Sequence, residues 1–172
     1  MTFLGGESVV SQKGKYFWRI NDLNKNISCI EFNDDEEYYS FIKKCYQNGF
    51  RQIIVTSEIM VQLIQYFVID QGLTVYNIEL MESDEELEDE VQNLLTLVDK
   101  SAVHINKLIH KINFLSEKSS IDIQRIYFKG RDTENKAISF YLQSNGIISV
   151  DTTHYSLITD EVSSLIARCL FQ

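Results

Sequence analysis

The alternation of apolar and polar positions predicts that helices and strands are interspersed along the whole chain. Residues 15–20 and 28–32 are short apolar runs separated by a polar stretch, which is typical of two strands joined by a turn. A helical stripe follows, for which Asn33 or Asp34 is the predicted N-cap and Gly49 the predicted stop. The apolar positions of that helix are Tyr38, Phe41, Ile42 and Cys45.

The next segment is predicted to form a β-α-β unit. Residues 51–56 are typical of a buried central strand, and residues 74–81 have the pattern of a second strand. Between them, a helix is expected to begin at Ser57 and to end before Gly72. Two strands joined by one helix normally form a right-handed parallel crossover. We therefore expect residues 1–82 to form a lobe with the order β-β-α-β-α-β.

A helical period then continues from residue 83 to about residue 116, with apolar residues at spacings of three and four from Leu87 to Leu115. A single helix of this length would extend about 45–50 Å, at 1.5 Å per residue. The spacing is close to that of a coiled-coil seam. Two hypotheses follow: the helix breaks near residues 99–101, or it is exposed and forms a homodimer through helix 84–116.

The last third of the chain predicts three antiparallel strands and a terminal helix. The strands are residues 120–130, 137–143 and 147–151, and a Ser-Asn-Gly turn before Ile147 joins the last two. Thr159 is the predicted cap of the last helix. These elements and the long central helix form a second lobe, 83–172, which we expect to dock on the first as one folded unit.

The fold class predicted by these patterns is α/β (α+β). It combines a small mixed sheet that contains the β-α-β unit, a long central helix, a three-strand antiparallel sheet and a C-terminal helix. With 44% hydrophobic residues, the chain has enough apolar side chains for a real core.

Charge is distributed unevenly along the chain, which carries 25 acidic and 16 basic residues for a net charge of −9. Residues 52–99 contain eleven acids and neither Lys nor Arg, a distribution that disfavours a uniformly basic nucleic-acid-binding protein. Acids at the start of a helix are favoured by the helix dipole, but a dense acidic run also fits a surface that binds a basic partner. The candidate partner-binding residues are Glu82, Asp84, Glu85, Glu86, Glu88, Asp89 and Glu90.

Basic residues follow on the same predicted helix. Lys100, His104, Lys107 and Lys111 recur at spacings of four, three and four, and they form one candidate anion-binding stripe. The stripe is either a solvated face or a surface that contacts phosphate, in which case nucleic acid would bind across residues 100–136. If two such helices paired antiparallel, the acidic half of each would face the basic half of the other, which also favours a homodimer.

An enzymatic alternative rests on three residues. Asp122 followed by Glu134-x-Lys136 has the residue types of some metal-dependent nucleases, in which two carboxylates hold Mg²⁺ and a lysine steadies the attacking water. A second polar group is formed by Asp151, Thr152, His154 and Tyr155, at the end of a predicted strand. No nucleophile can be assigned to that group from the sequence.

Aromatic residues and cysteines allow two further interpretations. Tyr127, Phe128, Phe140 and Tyr141 alternate along two predicted strands, where they either belong to the core or stack on the bases of single-stranded nucleic acid. The three cysteines, Cys29, Cys45 and Cys169, are far apart in the sequence, and we expect buried free thiols.

The remaining expectations concern location and cofactors. No apolar stretch approaches the roughly 18 residues of a membrane span, and no signal peptide is evident, so we expect a soluble cytoplasmic protein. Neither a Walker loop nor a GxGxxG motif is present, and no cofactor or metal is expected.

The leading functional hypothesis from the sequence is a non-enzymatic cytoplasmic interaction protein: an adaptor, an inhibitor or a regulatory subunit. It would bind a protein partner through the acidic surface and would pair with a second copy through the long helix. The alternative is a metal-dependent nuclease or a nucleic-acid-binding protein that uses the basic face of residues 100–136.

Overall fold

A computed structural model of the chain describes residues 10–82 and 84–171, in which five α-helices and seven strands lie. Helices account for 48% and strands for 28%, so the predicted α/β fold class is confirmed. The chain forms two compact units: unit 1 comprises Met1–Ile54 with Asn145–Gln172, and unit 2 comprises Val55–Ser144. The boundary expected between residues 82 and 83 therefore falls inside unit 2, since the chain leaves unit 1 and returns to it.

Unit 1 is built around one long strand that pairs antiparallel with three others. The central strand is β1, Ser11–Arg19, and four of its successive residues are buried, as expected for a strand covered on both faces. It pairs with β2 (Ile27–Glu31), β3 (Phe50–Gln52) and β7 (Ile147–Asp151).

Two helices, α1 (Tyr38–Gln47) and α5 (Tyr155–Phe171), complete unit 1. The cap of α1 is Glu37, whose carboxylate accepts hydrogen bonds from two backbone N–H groups, so the predicted caps Asn33 and Asp34 are wrong. The predicted stripe is largely confirmed, because Phe41, Ile42 and Cys45 are buried against Phe17 of β1.

The predicted parallel β-α-β crossover is wrong. The strand expected at residues 51–56 is shorter and lies earlier, as β3, and it pairs antiparallel with β1. The second strand, β4 (Thr74–Leu80), pairs antiparallel with β5 (Ile123–Arg131). Ile53 and Val55 are buried without belonging to a strand, so the apolar run correctly indicates burial and incorrectly indicates the backbone conformation.

Unit 2 contains a sheet with the strand order β6-β5-β4, in which β6 is Ala137–Gln143. Helix α2 (Ser57–Gln65) continues into a π-helical turn, Tyr66–Asp70. The ring of Phe67 in that turn packs on Phe128 of β5 and Phe140 of β6, with ring centres 5.2 and 5.0 Å away.

The long central helix is broken, which is one of the two outcomes considered above. Helix α3 (Glu85–Lys100) ends at Ser101, which is extended, and a short 3₁₀ turn leads into α4 (Ile105–Ser119). The two helices pack against each other, and Lys111 of α4 forms an ion pair with Glu90 of α3. Charge pairing between an acidic helix and a basic helix therefore occurs within the chain.

The apolar seam of the two helices is buried inside unit 2. Its members on α3 and α4 are Val91, Leu95, Val98, Ile105, Leu108, Ile112 and Leu115, each at most 6% exposed. A homodimer through residues 84–116 stays a prediction. Because the apolar seam is buried within the chain, it is not available to pair with a second copy.

Candidate functional site

A groove of about 530 Å³ lies in unit 2 between strand β4 and helix α3. One wall is formed by five successive residues, 77–81, from β4 and the residue that follows it, together with Gln124 of β5. The other wall is the N-terminal half of α3, with Glu88, Asp89, Val91 and Gln92. We call this space the α3–β4 groove, and its volume is within the range of ordinary ligand pockets.

Local sequence explains how the two walls are placed. Asp84 caps α3 by accepting hydrogen bonds from the N–H groups of Glu86 and Leu87, at 3.0 and 3.2 Å, so the helix begins directly after β4. Val91 is only 2% exposed, and it fixes the inner side of the helix. Glu88 and Asp89 then lie on its exposed side, next to the strand.

The groove is acidic. Of the described residues that line it, Glu79, Glu88 and Asp89 carry carboxylates, and none is Lys or Arg. Glu79 accepts a hydrogen bond from the Tyr127 hydroxyl at 2.8 Å and lies 3.7 Å from the guanidinium of Arg125. Since that cation offsets Glu79, Glu88 and Asp89 supply most of the negative charge in the groove.

The seven acids singled out in the sequence are all exposed. Only Glu88 and Asp89 of these line the α3–β4 groove; Asp84 is the cap of α3, and Glu90 pairs with Lys111. Sequence reasoning found the acidic run but missed the opposite wall, residues 77–81. Glu79 is the one charged residue of that wall, and no motif marks it as a site, because the wall exists only through the packing of α3 on β4.

The predicted anion-binding stripe does not form one continuous face of a single helix. Lys100 is the last residue of α3, His104 lies in the 3₁₀ turn, and Lys107 and Lys111 are on α4. Lys111 is engaged by Glu90, and its ammonium group also lies 5.9 Å from the centre of the Phe114 ring. The stripe is thus divided by the break at Ser101.

The three candidate nuclease residues are not brought together. Asp122 immediately precedes β5, whereas Glu134 and Lys136 lie in the turn beyond its far end, where they form an ion pair at 2.8 Å. Strand β5 has nine residues, which corresponds to about 30 Å at 3.3 Å per residue. Two carboxylates at opposite ends of a strand cannot hold one metal ion.

Asp122 has a structural role instead. Its Oδ1 accepts hydrogen bonds from Ser57 at the start of α2, at 2.8 Å, and from Ser116 near the end of α4, at 2.7 Å.

Asp122→Ala should therefore lower the free energy of unfolding by about 1–3 kcal/mol, because two partly buried hydroxyl groups lose their acceptor. Urea unfolding measures this loss, and the exposed Glu134→Ala serves as the control, with an expected change below about 0.5 kcal/mol. Equal losses in both variants would contradict the role given to Asp122.

The aromatic residues of β5 and β6 face opposite sides of the sheet. Phe128 and Phe140 are in the core, with rings stacked at 4.7 Å, which confirms the core interpretation for these two. Tyr127 and Tyr141 are half-buried on the other side, 5.5 Å apart, and Arg125 lies 4.7 Å from the centre of the Tyr141 ring. The guanidinium of Arg125 donates a hydrogen bond to the hydroxyl of Tyr127 at 2.8 Å, so it is already engaged on that side.

In unit 1, Asp151 and His154 form a buried pair, with Oδ2 2.6 Å from Nδ1 and each side chain about 5% exposed. The sulfur of Cys29 lies 3.7 Å from the hydroxyl of Tyr155. Burial raises the pKa of Cys29 to about 11, so this thiol is a poor nucleophile at neutral pH. Cys45 is buried as expected, whereas Cys169 is exposed on α5, so its predicted burial is wrong.

No helix among the described residues is long and apolar enough to cross a membrane. Within residues 10–82 and 84–171, no three His, Cys, Asp or Glu side chains come together in a way that would hold a metal ion.

Comparison of the chain with protein-family models, with curated proteins and with solved structures finds no match in any of the three.

Proposed function

We propose that this chain is a protein-binding module that holds a basic segment of a partner in the α3–β4 groove. The observation that carries the proposal is a groove of about 530 Å³ in which Glu88 and Asp89 lie on the wall opposite residues 77–81. A concave site concentrates the negative field of its walls, and the field attracts and orients a cationic segment.

The surrounding charge supports the same class of partner. Residues 52–99, which supply nearly all of the groove, contain neither Lys nor Arg, and the chain carries a net charge of −9. A long-range negative potential speeds the encounter with a basic protein, and it repels nucleic acid. This proposal keeps the protein partner expected from the sequence and replaces the self-pairing helix with a groove.

The first test compares two double variants with the same change in charge. Glu88→Gln with Asp89→Asn removes the carboxylates of the groove, whereas Glu85→Gln with Glu86→Gln removes two exposed carboxylates of α3 that do not line it. Binding of a fluorescent basic peptide, followed by anisotropy at about 0.1 M salt, should weaken about tenfold in the first variant. Two partly exposed charge pairs of about 0.5–1 kcal/mol each account for that factor.

The control variant should bind within about threefold of the wild type, because screening over a Debye length of about 10 Å limits the effect of remote charges. Equal weakening in both variants would indicate a diffuse attraction without a site. Binding that is unchanged in both would contradict the proposed function.

A further inference from the structure

We infer that the partner segment is extended and binds as an additional strand along the open edge of β4. This inference rests on the proposed function and specifies its geometry. It assigns the backbone of residues 77–80 as a binding surface, next to the carboxylates of Glu88 and Asp89.

The residues of β4 that border the groove are successive in the sequence. Side chains of successive strand residues point to opposite faces of a sheet. Successive residues can therefore border one space only along the edge of the strand, where the backbone itself is the surface. Residues 77–80 of β4 border the α3–β4 groove without interruption, so the groove follows the edge of this strand, and it also reaches Gln124 of β5.

The outer edge of β4 has no strand partner among the described residues. Strand β4 is the last in the order β6-β5-β4, and among the described residues β5 is its one sheet neighbour. In an antiparallel pair, alternate backbone N–H and C=O groups of an edge strand point away from the neighbour. Those groups of β4 point toward the side on which the groove lies.

The surroundings of this edge make its pairing selective. Exposed edges invite pairing with any strand, and proteins guard them with charges and with β-bulges. Here Glu88 and Asp89 provide the charge, and irregularities at Val75/Asn77 and Glu79/Leu80 interrupt the register. These carboxylates repel acidic segments, including a second copy of this edge, and they complement Lys or Arg side chains on an added strand.

The length of the added strand follows from the same residues. Five residues of an extended chain cover about 17 Å at 3.4 Å per residue. A segment of about five or six residues, with basic side chains alternating with apolar ones, fits the wall formed by residues 77–81. Strand addition to an exposed edge is a general mode of peptide recognition.

The test uses three forms of one six-residue fluorescent peptide, in which Lys or Arg alternates with Val. The parent peptide has an unmodified backbone, and two isomers carry N-methyl groups on alternate amides, one on the odd residues and one on the even residues. Charge and side chains are the same in all three. Because alternate amides of a strand point to opposite edges, only one isomer loses the donors that face β4.

Strand addition predicts that one isomer binds at least tenfold more weakly than the parent, whereas the other binds within about threefold. Equal binding by the two isomers, whether retained or lost, would overturn the inference, and the proposed function would stand if the parent still distinguished the two double variants. Failure of the parent peptide to bind at all would instead overturn the proposed function.

Discussion

Lys15→Met should raise the free energy of unfolding by about 2 kcal/mol at pH 7, and the gain should fall toward zero between pH 8 and pH 10.5. Lys15 lies in β1 with no exposed surface, its ammonium group donates to the backbone carbonyl of Asn145, and it lies 5.9 Å from the ring centres of Phe17 and Tyr38. Burial lowers its pKa from 10.5 to about 8.

The pH dependence follows from proton binding in the two states. Below pH 8 the amine of Lys15 is protonated both when folded and when unfolded, and the folded state bears the full cost of a buried charge. Between pH 8 and 10.5 the unfolded state binds more protons, so the stability of the wild type rises with pH. The difference in pKa corresponds to roughly 3–4 kcal/mol, and the loss of the donor to Asn145 reduces the gain.

Urea unfolding followed by the fluorescence of Trp18, the single tryptophan and a neighbour on β1, measures this effect. Lys13→Met is the matched control, since Lys13 is partly exposed and pairs with Asp34 at 2.7 Å. Its effect at pH 7 should be below about 1 kcal/mol. A loss of stability in Lys15→Met at pH 7 would mean that the buried charge stabilises the fold.

Phe67→Ala should lower the free energy of unfolding of unit 2 by about 3–5 kcal/mol. The side chain of Phe67 has no exposed surface, and its ring contacts Phe128 and Phe140, which hold β5 and β6 against the π-helical turn. Removing the ring loses its transfer free energy and leaves a cavity between elements that are fixed by the sheet.

Ile69→Ala provides the control from the same π-helical turn, because Ile69 is 56% exposed. Its cost should be below about 1 kcal/mol. Thermal unfolding monitored by circular dichroism distinguishes the two variants. A loss of less than 1 kcal/mol in Phe67→Ala would show that the ring is not central to the core of unit 2.

The elements bounded by strong local signals could be predicted from the sequence. Strands β6 and β7 lie at the predicted residues, because a Ser-Asn-Gly turn separates two alternating apolar runs and Gly146 adopts a positive φ of 81° there. The stripe of α1 was also predicted correctly. Its cap was not, since several polar residues before Tyr38 can cap a helix and only the tertiary structure selects Glu37.

Features that depend on distant partners could not be predicted. The run at Ile53–Val55 has the burial pattern of a strand, but the N–H of Val55 bonds to the carbonyl of Ser144 and not to a strand ladder. Apolar spacing continues through Ser101, because α3 and α4 each have an inward stripe, and the pattern does not reveal the break between them. The acidic wall of the α3–β4 groove was evident in the sequence, whereas its strand wall depends on how α3 packs on β4.

Hydrogen exchange of the wild-type protein, with and without the parent Lys/Arg-Val peptide, tests the α3–β4 groove most directly. At about 100 times Kd, binding adds about 2.7 kcal/mol of protection to amides that open only when the peptide is released. We expect exchange to slow in residues 77–81 and in the first turns of α3, and to stay unchanged near the exposed acids Asp34 and Asp35. Unchanged exchange in residues 77–81, with slowing at Asp34 and Asp35, would contradict the proposed site.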